Sequence, residues 1–309
     1  MKHDHKNIKQ IDITKKSTVD EIMRQMERGG FGAKKLSEAT TILEAAIKDK
    51  ETKLFLGVAG ALVPAGMRKI LRDMIKDGWV DVVVTTGANI THDVIEAMGH
   101  HHEVGSEKAN DLELRDQKID RIYDVFLKNK AYEDLETYLH KIYKDIPKKK
   151  MGVREFLFEI GTRIDDENSI LRTAADNNVS IFCPGIADSA LGFHAWSYIL
   201  DNELSVDVFK DMKEIMAITW DSKNSSVFIL GGGVPKDYIL QAMQFSPKEH
   251  SSAVQITMDR PEHGGLSGAE LREAISWGKL GKNATHTTVT ADVTIALPFI
   301  VAALKERGL

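Results

Sequence analysis

The run Val227-Phe228-Ile229-Leu230-Gly231-Gly232-Gly233 is four apolar residues closed by three glycines. An uninterrupted apolar run of this length suits a strand covered on both faces, because a half-exposed strand would alternate. The glycines end the strand, and a helix is predicted from there to about residue 243. Outward along the chain the same grammar recurs. Leu54-Phe55-Leu56-Gly57-Val58 leads into a helix expected over about 64–77. The run at 80–84 ends in Thr85-Thr86-Gly87-Ala88-Asn89, with a helix to about 98. The run at 179–182 ends in Pro184-Gly185-Ile186-Ala187-Asp188-Ser189. Residues 253–257 end in Asp259-Arg260-Pro261, and a Gly-rich stretch to Gly268 is expected to open another helix. Residues 287–290 make the last strand, before a helix at about 293–306.

Short Val/Ile-rich runs alternating with helices specify an α/β fold: a Rossmann-like parallel sheet flanked by helices on both faces. An N-terminal helical extension precedes it. Residues 1–30 read as an arm and a helix. Positions 1–16 are charged and aperiodic, Ser17 is the expected N-cap, Val19, Ile22, Met23 and Met26 follow at helical spacing, and Gly29-Gly30 stops the helix. Residues 31–309 read as a single catalytic domain, with a second helix at about 36–49. The highly charged segment 107–150, ending in Lys148-Lys149-Lys150, reads as a helical insertion or lid.

Composition narrows the function. The 309 residues are 42% hydrophobic and 28% charged, ordinary for a folded protein. A net charge of −5 argues against a dedicated nucleic-acid binder. The N-terminus has no signal-peptide core, and no window approaches a membrane span of ~18 apolar residues. One cysteine, Cys183, permits no intrachain disulfide, so a reducing, cytoplasmic setting is expected, with the thiol as a buried small hydrophobe.

In doubly covered parallel sheets, ligands bind at the carboxyl ends of strands. Gly231-Gly232-Gly233 removes side-chain bulk there and frees amides at a helix N-terminus to face an anion, although a tight turn without a ligand would look the same. No G-x-G-x-x-G fingerprint or P-loop is present. The hydroxyls of Thr85-Thr86 suit either a ribose or phosphate contact or a capped turn. His100-His101-His102 does not share a face on a helix or strand, so no metal is assigned. His194 reads as packed or capping. Lys279, in Ser276-Trp277-Gly278-Lys279, could be a solvated helix end. Its context, after Glu270 and Glu273 and two positions beyond Trp277, instead suits an amine that forms Schiff bases and an aromatic that holds an alkyl-ammonium.

Taken together, these motifs resemble deoxyhypusine synthase in its archaeal or prokaryotic form, from about Gly30 onward. The resemblance is carried by Val84-Thr85-Thr86-Gly87-Ala88-Asn89, Asp188-Ser189-Ala190-Leu191-Gly192, Leu230-Gly231-Gly232-Gly233, Gly264-Gly265-Leu266-Ser267-Gly268-Ala269, Glu273-Ala274-Ile275-Ser276-Trp277-Gly278-Lys279 and Ala291-Asp292. It implies an NAD-dependent homotetramer. NAD would take a hydride from spermidine, the resulting imine would lose 1,3-diaminopropane, and the aminobutyl group would pass to Lys279 as an imine. It would then move to a lysine of the precursor of translation initiation factor 5A and be reduced. Carried over by position, the resemblance implies that Thr86, Gly87, Asp188, Gly231, Gly232, Gly264, Ser267, Asp292 and Val293 line the NAD site. Glu273, Trp277, Asp237 and Lys279 fall to the polyamine site. The resemblance also implies that the N-terminal arm can cover a neighbour's site.

The departures from eukaryotic members lie mostly on the polyamine side. Phe193 and Leu266 stand where they carry aspartates, Asp237 where they carry a histidine, and His92 where they carry a glutamate. Each charge-assisted bond lost is worth roughly 1.5–3 kcal/mol, and Asp237 can restore one. Two alternatives therefore stand beside the main reading. One is a paralogue that passes aminobutyl to a free amine or uses another donor, and the other is an inert NAD-binding interaction module.

Overall fold

The structure, a computed structural model of the chain, describes residues 7–309; the first six residues of the expected arm lie outside it. Two compact units divide the chain, one formed by the sequence up to Gly57 together with Met216–Leu309, the other by Val58–Ile215.

Helix α1 (Val19–Met26) starts from Thr18 rather than Ser17. A capping box needs its glutamate three positions on, and Glu21 stands at that distance from Thr18. Ser17 instead closes a turn with Thr14. Helix α2 (Phe31–Lys48) begins directly after Gly30, earlier than its apolar periodicity suggested. Strand β1 (Thr52–Val58) follows. The helix expected over 64–77 is interrupted at Gly66, whose φ of +85° is non-helical, so only α3 (Arg68–Lys76) is regular. Strand β2 (Val82–Thr85) and helix α4 (Gly87–Ala97) come next.

The charged insertion is not all helical. Between β3 (Glu103–Val104) with α5 (Asp111–Asp116) and α6 (Lys130–Asp145) lie β4 (Ile119–Ile122) and β5 (Val125–Lys128). They pair as a hairpin, Ile122 opposite Val125, and β3 adds antiparallel to β5. The two-residue turn is Tyr123-Asp124, with Tyr123 at φ +56°. A hairpin without the Asn-Gly or Asp-Gly signal, inside a run of alternating charges, is hard to see in sequence.

The chain continues through β6 (Lys150–Gly152), α7 (Val153–Gly161), α8 (Ile170–Asp176), β7 (Ser180–Phe182), α9 (Ala190–Ile199), β8 (Ser205–Asp207) and α10 (Lys210–Asp221). It then forms β9 (Asn224–Leu230), α11 (Gly233–Gln244), β10 (His250–Thr257), α12 (Glu273–Ser276), β11 (Leu280–Thr290) and α13 (Val293–Glu306).

The fold is α/β with six parallel sheet strands flanked by helices: β11-β10-β9-β1 in order within the first unit, and β2-β7 within the second. In the first unit every residue from Ser225 to Leu230 is buried, the state that coverage on both faces requires. Burying each Val, Ile, Leu or Phe side chain of such a run stabilises by about 1.5–3 kcal/mol. Strand β11 starts well before residue 287 because its pairing with β10 is irregular: His250 faces Leu280, yet Ser252 faces Thr285. No helix among the described residues is long and apolar enough to cross a membrane.

Candidate active site

The expected helix after Gly268 is not there. The chain turns through 264–272, and only the four-residue α12 forms, because glycines at 264, 265 and 268 weaken any longer helix. What α12 does is end in a Schellman motif. Gly278 adopts φ +66°, its N–H reaches the Ile275 carbonyl at 3.1 Å, and the Lys279 N–H reaches the Ala274 carbonyl at 2.9 Å. Glycine suits that left-handed position best, and its turn delivers Lys279 to the position directly before β11.

The Lys279 side chain is 12% exposed, which rules out the solvated helix end. Its Nζ lies 3.5 Å from Asp237 Oδ1 and 5.5 Å from the centre of the Trp277 ring. Trp277 itself is 61% exposed, so one face of the indole stays open to another cation. The second Asp237 oxygen accepts from Gln241 one turn along α11. Glu273 is exposed on α12 and acts, with Asp237, as a negative neighbour of the buried Lys236 amine. The structure therefore gathers all four polyamine-side residues, Lys279, Glu273, Trp277 and Asp237, in the first unit.

Six of the cofactor-side residues share that unit. Gly231 takes φ +83°, and Gly232 is the N-cap of α11 with no side-chain cap, so the helix N-terminus is left to other acceptors. A Cβ on Gly232 would stand 2.3 Å from Ser267 Cα, so these two positions touch only because one is glycine. Ser267 donates its hydroxyl to Asp259, and Gly264 takes φ +73° at the end of a short 3-10 turn. Asp292 is the N-cap of α13: its Oδ1 accepts from Thr294 N at 2.7 Å and Thr294 Oγ1 at 2.8 Å. Val293 is buried as the first residue of that helix.

The other three, Thr86, Gly87 and Asp188, belong to the second unit. Thr86 caps α4 through Asn89 N, while Thr85 donates to the Val58 carbonyl at 3.0 Å. A Cβ on Gly87 would meet Ser189 at 2.4 Å, so the start of α4 and the N-cap of α9 are in close contact. Asp188 is exposed beside them. Phe193 is also exposed, on α9. His194, expected to pack or cap, is half-buried on α9, and its backbone carbonyl accepts from Ser197 Oγ. Burial raises the Cys183 thiol to about 12, consistent with an inert core residue.

Sequence reasoning missed two arrangements. In the second unit, His102 Nδ1 contacts Glu96 Oε1 at 2.6 Å and its Nε2 contacts His92 Nδ1 at 2.9 Å; His101 also reaches Glu96, and His100 reaches Asp134. Burial would raise the Glu96 carboxyl, but hydrogen bonds from the His102 side chain and backbone and from His101 hold it at about 2. The histidine triplet is thus tied to Glu96, Asp134 and His92, contacts that its spacing did not reveal. In the first unit, Lys236 is buried and bonded to Gln255. The signal available was a lysine in the first turn of a helix, where the helix dipole disfavours a cation.

Comparison with known proteins identifies the family. Residues 21–304 match the family model described as deoxyhypusine synthase. "Probable deoxyhypusine synthase 1" of Methanosarcina acetivorans is 49% identical over 300 residues, covering 97% of this chain and 95% of the relative. "Probable deoxyhypusine synthase" of Methanosarcina thermophila is 48% identical over the same length and the same shares of the two chains. Among solved structures, an Entamoeba histolytica protein designated a deoxyhypusine synthase matches with a TM-score of 0.68 at 20% identity, covering 96% of each chain, a likeness of fold. The chain belongs to the deoxyhypusine synthase family.

Proposed function

We propose that this enzyme moves the 4-aminobutyl group of spermidine, through an imine on Lys279, to a lysine of the precursor of translation initiation factor 5A. Family membership makes it a transferase of the aminobutyl type. The observation that carries the finer reading is the Lys279 amine, largely shielded between an aspartate at 3.5 Å and an indole at 5.5 Å. The shield excludes bulk water from an amine that must act as a nucleophile, while Asp237 can hold the proton that Nζ gives up. Lys279 attacks the imine carbon of oxidised spermidine, and 1,3-diaminopropane leaves with the original nitrogen. The acceptor lysine then repeats the exchange and frees Lys279. Trp277 and Glu273 hold the polycationic chain.

NAD is the proposed cofactor, and when bound it supplies the hydride acceptor and returns the hydride at the end. The residues fit such a group. An uncapped α11 N-terminus behind a side-chain-free Gly231-Gly232 turn suits phosphate, and Asp292 keeps its Oδ2 clear of hydrogen bonds among the described residues, as a ribose hydroxyl partner needs. Gly264, Ser267 and Val293 are proposed as its further contacts, and Thr86, Gly87 and Asp188 are proposed from family position alone. We further propose a cytoplasmic homotetramer, with residues 31–309 as the catalytic body and 1–30 as the arm and helix preceding it.

One observation favours a second reading. Phe193 and Leu266, both well exposed, present apolar surface where eukaryotic members carry aspartates, as a paralogue with a free-amine acceptor would tolerate. The test is a transfer assay with NAD and labelled spermidine, offering the precursor protein and putrescine as acceptors. Label on one precursor lysine, abolished by Lys279→Arg, is the expected result. Label on putrescine alone selects the paralogue, label surviving Lys279→Arg removes the covalent role, and NAD binding without release of diaminopropane leaves an inert module.

A further inference from the structure

Lys236 is a buried cation that the proposed reaction does not use. It sits in the first turn of α11, at 4% exposure, where both desolvation and the helix dipole oppose an ammonium. Its three protons are all placed: Nζ donates to Gln255 Oε1 at 3.0 Å, to the Leu266 carbonyl at 3.0 Å and to the Ala269 carbonyl at 2.5 Å. Accepting from Lys236 fixes which way the Gln255 amide faces. Its Nε2 then donates to the Gly231 carbonyl at 2.9 Å and the Ser267 carbonyl at 2.8 Å.

Two side chains therefore tie down four backbone carbonyls, at 231, 266, 267 and 269. The stretch 264–269 has no sheet ladder or helix to satisfy its carbonyls, so side-chain donors do that work instead. The two anchored segments also meet where Gly232 leaves no room for a Cβ against Ser267, so a small change in their separation would be felt directly.

We propose that Lys236, acting through Gln255, is a positioning residue that sets the spacing between the triple-glycine turn and the 264–269 loop, and so governs cofactor affinity rather than chemistry at Lys279. Its effect on binding rests on the NAD reading; the clamp itself does not. The clamp needs the charged form, since a neutral amine brings two protons and a lone pair to three acceptors. Burial lowers Lys236 to about 8, with Glu273 on α12 and Asp237 on α11 opposing the fall and Lys279 at the head of β11 adding to it. The ammonium is present below that pH and is lost above it, so cofactor affinity should decline as pH rises through about 8.

The experiment compares the full wild-type chain with Lys236→Met and Gln255→Glu. The second variant keeps the acceptor for Lys236 and loses the donors to the Gly231 and Ser267 carbonyls. Amide hydrogen exchange on the free proteins should show faster exchange confined to 264–271 in both. The NAD dissociation constant should rise about tenfold to a hundredfold, the range expected when buried carbonyls lose their donors, with the spermidine KM at saturating NAD within about twofold. The affinity decline near pH 8 should vanish in Lys236→Met. Unchanged exchange, or a fall in kcat with NAD affinity and its pH dependence intact, overturns the proposal. If Lys236→Met fails to fold, Gln255→Glu decides by the same readouts. If the wild type binds no NAD, the cofactor reading falls and the exchange pattern alone decides the clamp.

Discussion

Lys279 and Lys236 show how differently two lysines of one site announce themselves. Lys279 follows a left-handed glycine and an aromatic, a local pattern readable in three residues, and the structure adds only the reason: Gly278 completes the Schellman turn that brings the amine out of solvent. Lys236 is no less specific, yet its partners stand 19, 30 and 33 positions away, so only its place in the first turn of a helix marks it in sequence. The residue-scale prediction concerns Trp277. With its ring largely exposed and Lys279 5.5 Å from its centre, the indole is available to a substrate ammonium. Trp277→Leu keeps apolar bulk and loses the quadrupole. The attraction lost is about 0.5–1 kcal/mol at an exposed site, so the polyamine KM should rise about two- to fivefold. Trp277→Phe should fall between the two. Equal KM values for all three proteins would show that the ring packs against the enzyme's own lysine only.

Elements carry the second lesson through α13. Asp292 is a helix cap by geometry and a proposed cofactor contact, and the two roles separate under substitution. Asp292→Ala should lower unfolding free energy by about 1 kcal/mol through loss of the cap. Asp292→Asn keeps an acceptor for Thr294 N and should melt close to wild type. If the carboxylate also holds ribose hydroxyls, Asp292→Asn should still weaken NAD binding about tenfold or more. A normal dissociation constant in that variant confines Asp292 to capping. The alternation that located α13 to within a residue, along with most of the sheet strands, was legible because doubly covered strands are uninterrupted Val/Ile runs between helices. Where backbone is held by long-range side chains, as at 264–272, or by a hairpin with charged flanks, as at 119–128, that periodicity is silent. Most of the candidate site sits at strand ends and was readable; the clamp behind it was not.

At the scale of the whole molecule, the remaining claim is assembly. Helix α9 turns Phe193 and Trp196 outward, its C-cap Leu200 continues the stripe at i+7, and Phe209 and Met212 are also exposed further along the second unit. An apolar stripe at helical spacing on the outside of a helix is what a helix has when its partner is missing. The homotetramer proposed from family membership would supply that partner. Sedimentation at micromolar concentration should therefore give a species of four times the 34.4 kDa chain. Trp196→Lys should shift it to smaller species. Its effect on the melting of the isolated chain should be small, since an exposed side chain has few internal contacts to lose. A wild-type protein that sediments at 34.4 kDa at every concentration would remove the tetramer, and the stripe would then need another cover. If Trp196→Lys leaves a tetramer intact, assembly uses some other face, and the α9 stripe, with Phe193 at a position the polyamine reading cares about, becomes a candidate surface for the acceptor protein.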